Sequence, residues 1–259
     1  MPEARKASGV PEARKASGMS SPVGDASDRA AEVGARLVAV RARIAMACEA
    51  AGRSPSEVTL IAVTKTFPAS DVAVLAGLGV IDIGENKDQE ARAKAAECAA
   101  AGVAVRWHFV GQLQLNKSAS VVRYTSVVHS VDRPELVEAL ARRARAAGRV
   151  VTCLVQVRLE DHPGRGGAAP ADVPGLADAV AGQSRLVIGG VMAIAPLGAP
   201  PRPAFSRLRQ VAELVRSAHP GAMMISAGMS GDLDEAVAEG ATHVRVGTAL
   251  LGGRRALVR

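Results

Sequence analysis

Short apolar runs alternate with longer amphipathic stretches along most of the chain. Eight runs rich in Val, Ile, Leu and Ala have the length and composition of buried strands. They cover residues 59–65, 80–84, 106–111, 126–131, 151–157, 186–192, 222–226 and 243–247. Stretches with a helical period lie between them, at residues 70–78, 88–101, 115–122, 134–147, 170–181, 203–219 and 232–239. An extra N-terminal helix is predicted at 29–51 and a closing helical turn within 248–259.

This alternation predicts one α/β domain. Eight parallel strands separated by helices favour a closed (β/α)8 TIM-type barrel over an open doubly wound sheet. A length of 259 residues fits one such barrel, although the length prior alone also allows two average domains. In a barrel of this kind the functional side chains lie at the C-terminal ends of the strands and in the loops that follow them.

The first residues differ from the rest of the chain. The octapeptide PEARKASG occupies residues 2–9 and recurs at 11–18, and a stretch rich in Ser, Gly and Asp follows it. We therefore predict a disordered leader at 1–27 and a barrel domain at 28–259. The leader has no apolar core after its charges, so it does not resemble a secretory signal.

Composition and charge exclude several classes of partner. The net charge is +7, but the arginines are scattered along helices and only five aromatic residues are available for base stacking, so we expect no nucleic-acid partner. No apolar run is long enough for a membrane span. Three distant cysteines indicate neither disulfides nor a zinc cluster, which favours the cytoplasm. The histidine spacings predict no metal site.

Lys65 is the first candidate for chemistry, because it ends the apolar run LIAVTK of the first predicted strand. A lysine amine at the mouth of a barrel can act as a nucleophile toward a carbonyl carbon. A lysine at a strand end can equally extend its ammonium into solvent. Position alone leaves both interpretations open.

The loops after strands seven and eight are the second candidate. They read ISAGMSGDLDEA and RVGTALLGGR, and Asp232 with Glu235 predicts a capping box at the next helix. In this barrel class, the same two loops recurrently bind phosphate through backbone amides. Glycine is also common in ordinary turns, so the assignment to phosphate is an interpretation rather than a necessity.

A carbonyl-reactive lysine together with a phosphate site suggests a ligand with both an aldehyde and a phosphate, and pyridoxal 5′-phosphate (PLP) has both. Arg245 on the eighth strand is predicted to meet the pyridine nitrogen of that ligand. A guanidinium there would keep the ring neutral and weaken it as an electron sink.

Six segments taken together resemble the pyridoxal phosphate homeostasis proteins. They are LIAVTKTFP, IGENKDQE, WHFVGQLQLNK, VHSVDR, ISAGMSGDLDEA and HVRVGTALLGGR, and the resemblance covers about residues 30–255. The resemblance implies a single barrel similar to the N-terminal domain of alanine racemase. It also implies a role in the supply and balance of PLP without established turnover.

Carried over residue by residue, the resemblance makes Lys65 the lysine that holds PLP as a covalent imine, or Schiff base. It sets Arg245 against the pyridine nitrogen, and it adds Asn86 and His108 as residues lining the pocket. The residues it places around the phosphate are Ser226, Gly228, Met229, Ser230, Gly247 and Thr248. No residue is assigned a catalytic role.

The chain departs from the family pattern at two places. Lys87 stands where relatives usually have tyrosine, so it is either a surface residue or a second amine near the aldehyde. The loop 158–167 reads RLEDHPGRGG, in which Arg165 replaces the usual lysine.

The predicted function is therefore intracellular PLP homeostasis, in which a monomer buffers the cofactor or delivers it to PLP-dependent apo-enzymes. The alternative is a racemase-like enzyme acting on amino acids. Related racemases take a second base from a tyrosine in an additional domain, and this chain has one tyrosine, Tyr124, and no additional domain in its pattern.

Overall fold

The protein is a closed barrel of eight parallel strands. A computed structural model describes residues 22–160 and 166–253. The strands pair in chain order, and β1 closes the barrel by pairing with β8. They are β1 (Thr59–Val63), β2 (Asp82–Glu85), β3 (Arg106–Phe109), β4 (Val127–Val131), β5 (Val151–Gln156), β6 (Leu186–Met192), β7 (Met224–Ser226) and β8 (His243–Val246). The predicted fold class is confirmed.

Helices surround the barrel, as the alternating pattern predicted. They are α1 (Pro22–Ala50), α2 (Ala69–Gly77), α3 (Asp88–Ala100), α4 (Ser118–Tyr124), α5 (Pro134–Ala146), α6 (Val173–Ala181), α7 (Pro201–Ala218), α8 (Leu233–Ala238) and α9 (Thr248–Leu251). Short 3-10 helices precede β1, α4 and α6, at Pro55–Glu57, Leu115–Lys117 and Pro170–Asp172. Among the described residues, no helix is both long and apolar enough to cross a membrane.

The extra helix is longer than predicted. It begins at Pro22, so residues 22–27, which the sequence assigned to the leader, are helical. Val33, Leu37, Val40 and Ile44 on α1 are buried and pack in one apolar cluster with residues of β1, β8 and α8. The remainder of the predicted leader lies outside the described residues.

Strand ends are the other difference. The first strand ends at Val63 rather than at Lys65, and the seventh begins at Met224 rather than at 222. Strand β6 contains an extra residue relative to β5, because Cys153 pairs with Ile188 and Leu154 with Gly190. A Cβ at Gly190 would lie 2.0 Å from the carbonyl oxygen of Met224, so the close approach of β6 to β7 requires glycine there.

Candidate functional site

A cavity of about 810 Å³ opens at the C-terminal end of the barrel. Seven of the ten predicted site residues line it, and they come from the loops after β1, β2 and β7 and from β8 and its loop. These seven residues are Lys65, Asn86, Met229, Ser230, Arg245, Gly247 and Thr248. The structure therefore brings the amine and the two glycine-containing loops together at one site.

Lys65 lies two residues beyond the end of β1 and its side chain is exposed at the cavity. The next residue, Thr66, has a φ of 69°, a left-handed conformation that is unusual for a β-branched residue. The Thr66 amide donates to Oε2 of Glu90 at 3.1 Å. Since β8 pairs with β1, Lys65 emerges beside the loop that contains Gly247.

A buried ion pair fixes the backbone just before Lys65. The Lys94 ammonium donates to the carbonyl oxygen of Thr64 at 2.8 Å and also to Oε1 of Glu85. The Thr64 hydroxyl donates to the same Glu85 oxygen at 2.5 Å. All three residues are buried, so the chain direction at Lys65 is set from beneath the cavity.

Sequence reasoning placed residue 94 inside the predicted helix 88–101, assigned it no role and so missed this one. The available signal was its position on α3, because Lys94 shares one helix face with the buried residues Ala91, Ala95 and Cys98. A lysine on an apolar face must meet an opposite charge or carbonyl oxygens, since burying an unpaired ammonium is costly.

Arg245 lies at the inner end of the cavity. Its guanidinium is buried and donates to the Ser226 hydroxyl at 2.7 Å and to the carbonyl oxygen of Ala193 at 2.9 Å. Burial lowers the pKa of Arg245 to about 10, partly opposed by the negative charge of Asp232. Arg245 therefore presents fixed N–H donors and a buried positive charge to the cavity.

Three of the predicted site residues do not line the cavity, namely His108, Ser226 and Gly228. Ser226 and His108 lie in the barrel interior, linked through His129, because their side chains point inward from β7 and β3. Gly228 lies behind the loop surface, with a φ of 87°, and a Cβ there would lie 2.6 Å from the Cβ of Ala236. These three residues stand behind the cavity lining, and their contact with a cofactor stays a prediction.

The loop after β7 is ordered differently from the predicted capping box. Asp232 makes no side-chain hydrogen bond to the helix that follows, and its carboxylate instead accepts from the Met229 amide at 2.6 Å. Arg43 of α1 donates to the Ser230 carbonyl oxygen and pairs with Asp234 at 2.7 Å. The extra helix thus holds this loop against the barrel.

Four backbone amides of the two loops remain available to a ligand. Within the described part of the chain, the N–H groups of Ser230, Gly231, Gly247 and Thr248 make no hydrogen bond, and all four residues line the cavity. Gly247 also allows a close approach, because a Cβ there would lie 3.1 Å from the Val63 carbonyl oxygen. Clustered amides of this kind suit an anion.

Asn86 closes the side formed by β2 and β3. Its side-chain Oδ1 is buried and has no partner within the described residues, although it belongs to the cavity lining. A buried acceptor without a donor is unfavourable, so this atom marks a position that a ligand donor or a water would satisfy. The lining therefore fits a ligand with an aldehyde, an anion and an aromatic nitrogen.

The two departures from the family pattern lie at the rim. Lys87 is 71% exposed and 3.5 Å from Glu90, so it extends along the surface. Arg158 and Glu160 line the cavity, and Gln156 donates to the Gly166 carbonyl oxygen at 2.8 Å. The predicted substitution at Arg165 lies outside the described residues.

Comparison with known proteins identifies the family. A family model described as alanine racemase, N-terminal domain, matches residues 36–255. The pyridoxal phosphate homeostasis protein of Mycobacterium tuberculosis is 44% identical over 246 residues, which cover 88% of this chain and 95% of the relative. The chain belongs to the pyridoxal phosphate homeostasis protein family. The family member of Escherichia coli is 36% identical over 227 residues, covering 86% of this chain and 97% of that protein.

A solved structure extends the comparison to the fold. PipY of Synechococcus elongatus, determined with PLP bound, superposes with a TM-score of 0.74 at 35% identity. The match covers 85% of this chain and 100% of PipY. The match to the family that the sequence motifs indicated therefore extends over nearly the whole barrel.

Proposed function

We propose that this protein binds PLP in the cavity at the C-terminal end of the barrel and serves PLP homeostasis by holding and releasing the cofactor. One observation carries the proposal. The Lys65 amine, the Arg245 guanidinium and the free amides of the loops after β7 and β8 line a single cavity. These groups complement the aldehyde, the pyridine nitrogen and the phosphate of one ligand.

Each group has a distinct role in this proposal. PLP supplies an aldehyde that condenses reversibly with an amine. The Lys65 amine forms the carbon–nitrogen bond and the aldehyde oxygen leaves as water, so hydrolysis restores both partners. Arg245, which lines the cavity, donates to the unprotonated ring nitrogen. The amides of Ser230, Gly231, Gly247 and Thr248 hold the phosphate.

The names of the relatives support homeostasis rather than turnover as the role of this site. Among the described residues lining the cavity, the titratable side chains are Lys65, Arg158, Glu160 and Arg245. Tyr124 is elsewhere, at the end of α4, where burial raises its pKa and its hydroxyl donates to Asp88 at 3.3 Å. A racemase needs a second base on the opposite face of the cofactor, and Tyr124 is not placed to supply it.

Binding is tested by titrating purified protein with PLP and recording the visible absorption spectrum. We expect an imine band that saturates with one PLP per chain, is lost in Lys65→Ala and persists in Lys87→Ala. Lys87→Ala is the matched control because it removes an exposed amine near the same cavity. A band that survives Lys65→Ala, or no band in the native sequence, would contradict the proposal.

Carrier and catalyst are separated by two assays on the loaded protein. Both samples in the transfer assay contain a scavenging amine that captures free PLP. Under this condition a carrier restores activity to a PLP-dependent apo-enzyme faster than an equal concentration of free PLP does. A racemase-like enzyme exchanges the α-proton of an amino acid with solvent faster than free PLP does. Exchange that is abolished by Glu160→Gln would favour the enzyme and count against the carrier.

A further inference from the structure

Five side chains form a continuous hydrogen-bonded chain through the interior of the barrel. Arg245 donates to Ser226 Oγ at 2.7 Å, and Ser226 Oγ lies 2.9 Å from His129 Nδ1. His129 Nε2 lies 2.9 Å from His108 Nδ1, and His108 Nε2 lies 2.8 Å from Asp82 Oδ1. The chain crosses from β8 to β2 and uses one residue from each strand it joins.

The two ends of this chain determine where every hydrogen lies. Arg245 has only donors, so the Ser226 oxygen accepts and its one hydrogen goes to His129 Nδ1. His129 then carries its hydrogen on Nε2 and donates to His108 Nδ1. His108 carries its own hydrogen on Nε2 and donates to the Asp82 carboxylate. With both rings neutral, each is therefore an Nε2–H tautomer, and every donor and acceptor along the path is satisfied.

The electrostatic surroundings keep the His129 ring neutral. Burial lowers the pKa of His129 well below its usual value, and the positive charge of Arg245 lowers it further. Burial is the largest single influence on the pKa of Asp82 and raises it, but the hydrogen bond from His108 and the positive charge of Arg106 contribute to a net lowering of that pKa. The other charged groups facing the chain are Arg106, which donates to Asp82 at 3.1 Å, and Asp232, which faces Arg245.

The chain joins opposite ends of the barrel. Arg245 lines the cavity at the C-terminal end, whereas Asp82 is the first residue of β2 and lines a second cavity of about 530 Å³ beneath α1. Among the described residues that line the first cavity there is no histidine. His108 and His129 can thus act on a ligand only through Ser226 and Arg245.

We propose that His129, His108 and Asp82 are positioning residues that orient Arg245 toward the ring nitrogen of the ligand through this one-directional chain. The inference rests on the proposed binding of PLP. Each link makes the next group a better acceptor, because a hydroxyl or imidazole that donates a hydrogen bond accepts more strongly. The Asp82 charge therefore helps hold the Arg245 guanidinium in one orientation from the far side of the barrel.

The direction of the chain is measured on ligand-free protein labelled with ¹⁵N at the imidazoles. Two-bond proton–nitrogen correlations identify which nitrogen of each ring carries hydrogen. We expect both His108 and His129, in their neutral forms, as Nε2–H tautomers. A hydrogen on Nδ1 of either ring would overturn the inference without any variant having to fold.

The effect on the ligand is measured with Asp82→Asn, which preserves size and removes the charge. We expect His108 to populate both tautomers. We also expect the dissociation constant for PLP to rise about tenfold, because this is the effect of losing one charge-assisted hydrogen bond. Arg106→Gln is the matched control, since Arg106 contacts the same carboxylate but lies outside the chain. It should change the constant less than about twofold.

The outcomes separate this inference from the proposed function. If the native sequence binds PLP and folded Asp82→Asn binds it as Arg106→Gln does, the positioning role is overturned. If the native sequence binds no PLP, the proposed function fails and the positioning role fails with it. In that case the tautomer assignment still reports the direction of the chain.

Discussion

Lys65 and Lys94 lie in opposite environments although both adjoin Thr64, Lys65 along the chain and Lys94 through its ammonium group. Lys65 is exposed at the cavity, while Lys94 is buried and donates to the Thr64 carbonyl oxygen at 2.8 Å. Only Lys65 can reach a ligand in the cavity, and Lys94 serves to hold the strand end that presents it. Lys65 is the residue after Thr64 and faces the cavity, whereas Lys94 supports the same stretch of backbone through the Thr64 carbonyl oxygen.

Replacing Lys94 by methionine is therefore expected to destabilise the fold strongly. The substitution preserves length and leaves the buried Glu85 carboxylate without its cation, a change that typically costs about 3–5 kcal/mol. Denaturant unfolding monitored by circular dichroism measures the loss. Lys87→Met is the control, with a change within about 0.5 kcal/mol because Lys87 is exposed. Equal effects of the two substitutions would contradict the role of the buried pair.

At the residue scale, the sequence predicted several of the residues that line the cavity but not all of the buried side chains behind them. Lys65, Asn86 and Arg245 follow strand ends or belong to strands in recognisable motifs, and they line the cavity. His129 and Asp82 gave no signal, because their roles depend on which side chains from different strands meet inside the barrel. Such contacts between β2, β3, β4 and β7 become visible only once the strand register is known.

Among the elements, the loops after β2 and β3 make the tightest contact near the site. A Cβ on Gly111 would lie 2.1 Å from the Asn86 carbonyl oxygen and 2.7 Å from its Cα. The Asn86 side chain faces the cavity from the other side of this contact. The backbone of Asn86 can therefore occupy this position only because residue 111 has no side chain.

Gly111→Ala is expected to displace the Asn86 loop and weaken both stability and ligand binding. The overlap involves backbone atoms, so we expect a loss of at least about 1–3 kcal/mol in unfolding free energy. Gly175→Ala provides the comparison, because no atom lies within 4 Å of its Cβ position in α6. That helix substitution should be neutral or stabilise by up to about 1 kcal/mol. A neutral Gly111→Ala would show that the loops are not in contact as described.

The elements themselves were largely predictable, since eight apolar runs became eight strands in the predicted order. Their ends were not. Thr64 and Lys65 read as a continuation of β1, but the hydrogen bonds of Thr64 to Glu85 and the turn at Thr66 end the strand. The start of α8 was wrongly assigned a capping box, because the Asp232 carboxylate bonds backward to Met229. Side chains with several possible partners cannot be resolved from spacing.

For the whole molecule, the buried His129 and the partly buried His243 couple stability to pH. Burial lowers the pKa of His129 well below its usual value and that of His243 to about 4. Both groups ionise near pH 6.5 in an unfolded chain. The unfolded state therefore binds more protons than the folded state below that pH, so stability falls as the pH decreases.

We accordingly expect the urea midpoint of the ligand-free protein to be highest above about pH 6.5 and to drop between pH 6.5 and 4. His243→Asn removes one of the two groups and should make the drop shallower. A midpoint that is constant or rises across this interval would contradict the neutral, buried state of these histidines.

Among the described residues, Lys65 is the lysine that lines the cavity, and trapping its amine tests the account most directly. Protein loaded with PLP is reduced with borohydride, digested and mapped by mass spectrometry to locate the modified lysine. The account predicts a pyridoxyl group on Lys65 and none on Lys87, Lys94 or Lys117. An adduct on another of these lysines, or no adduct at saturating PLP, would contradict it.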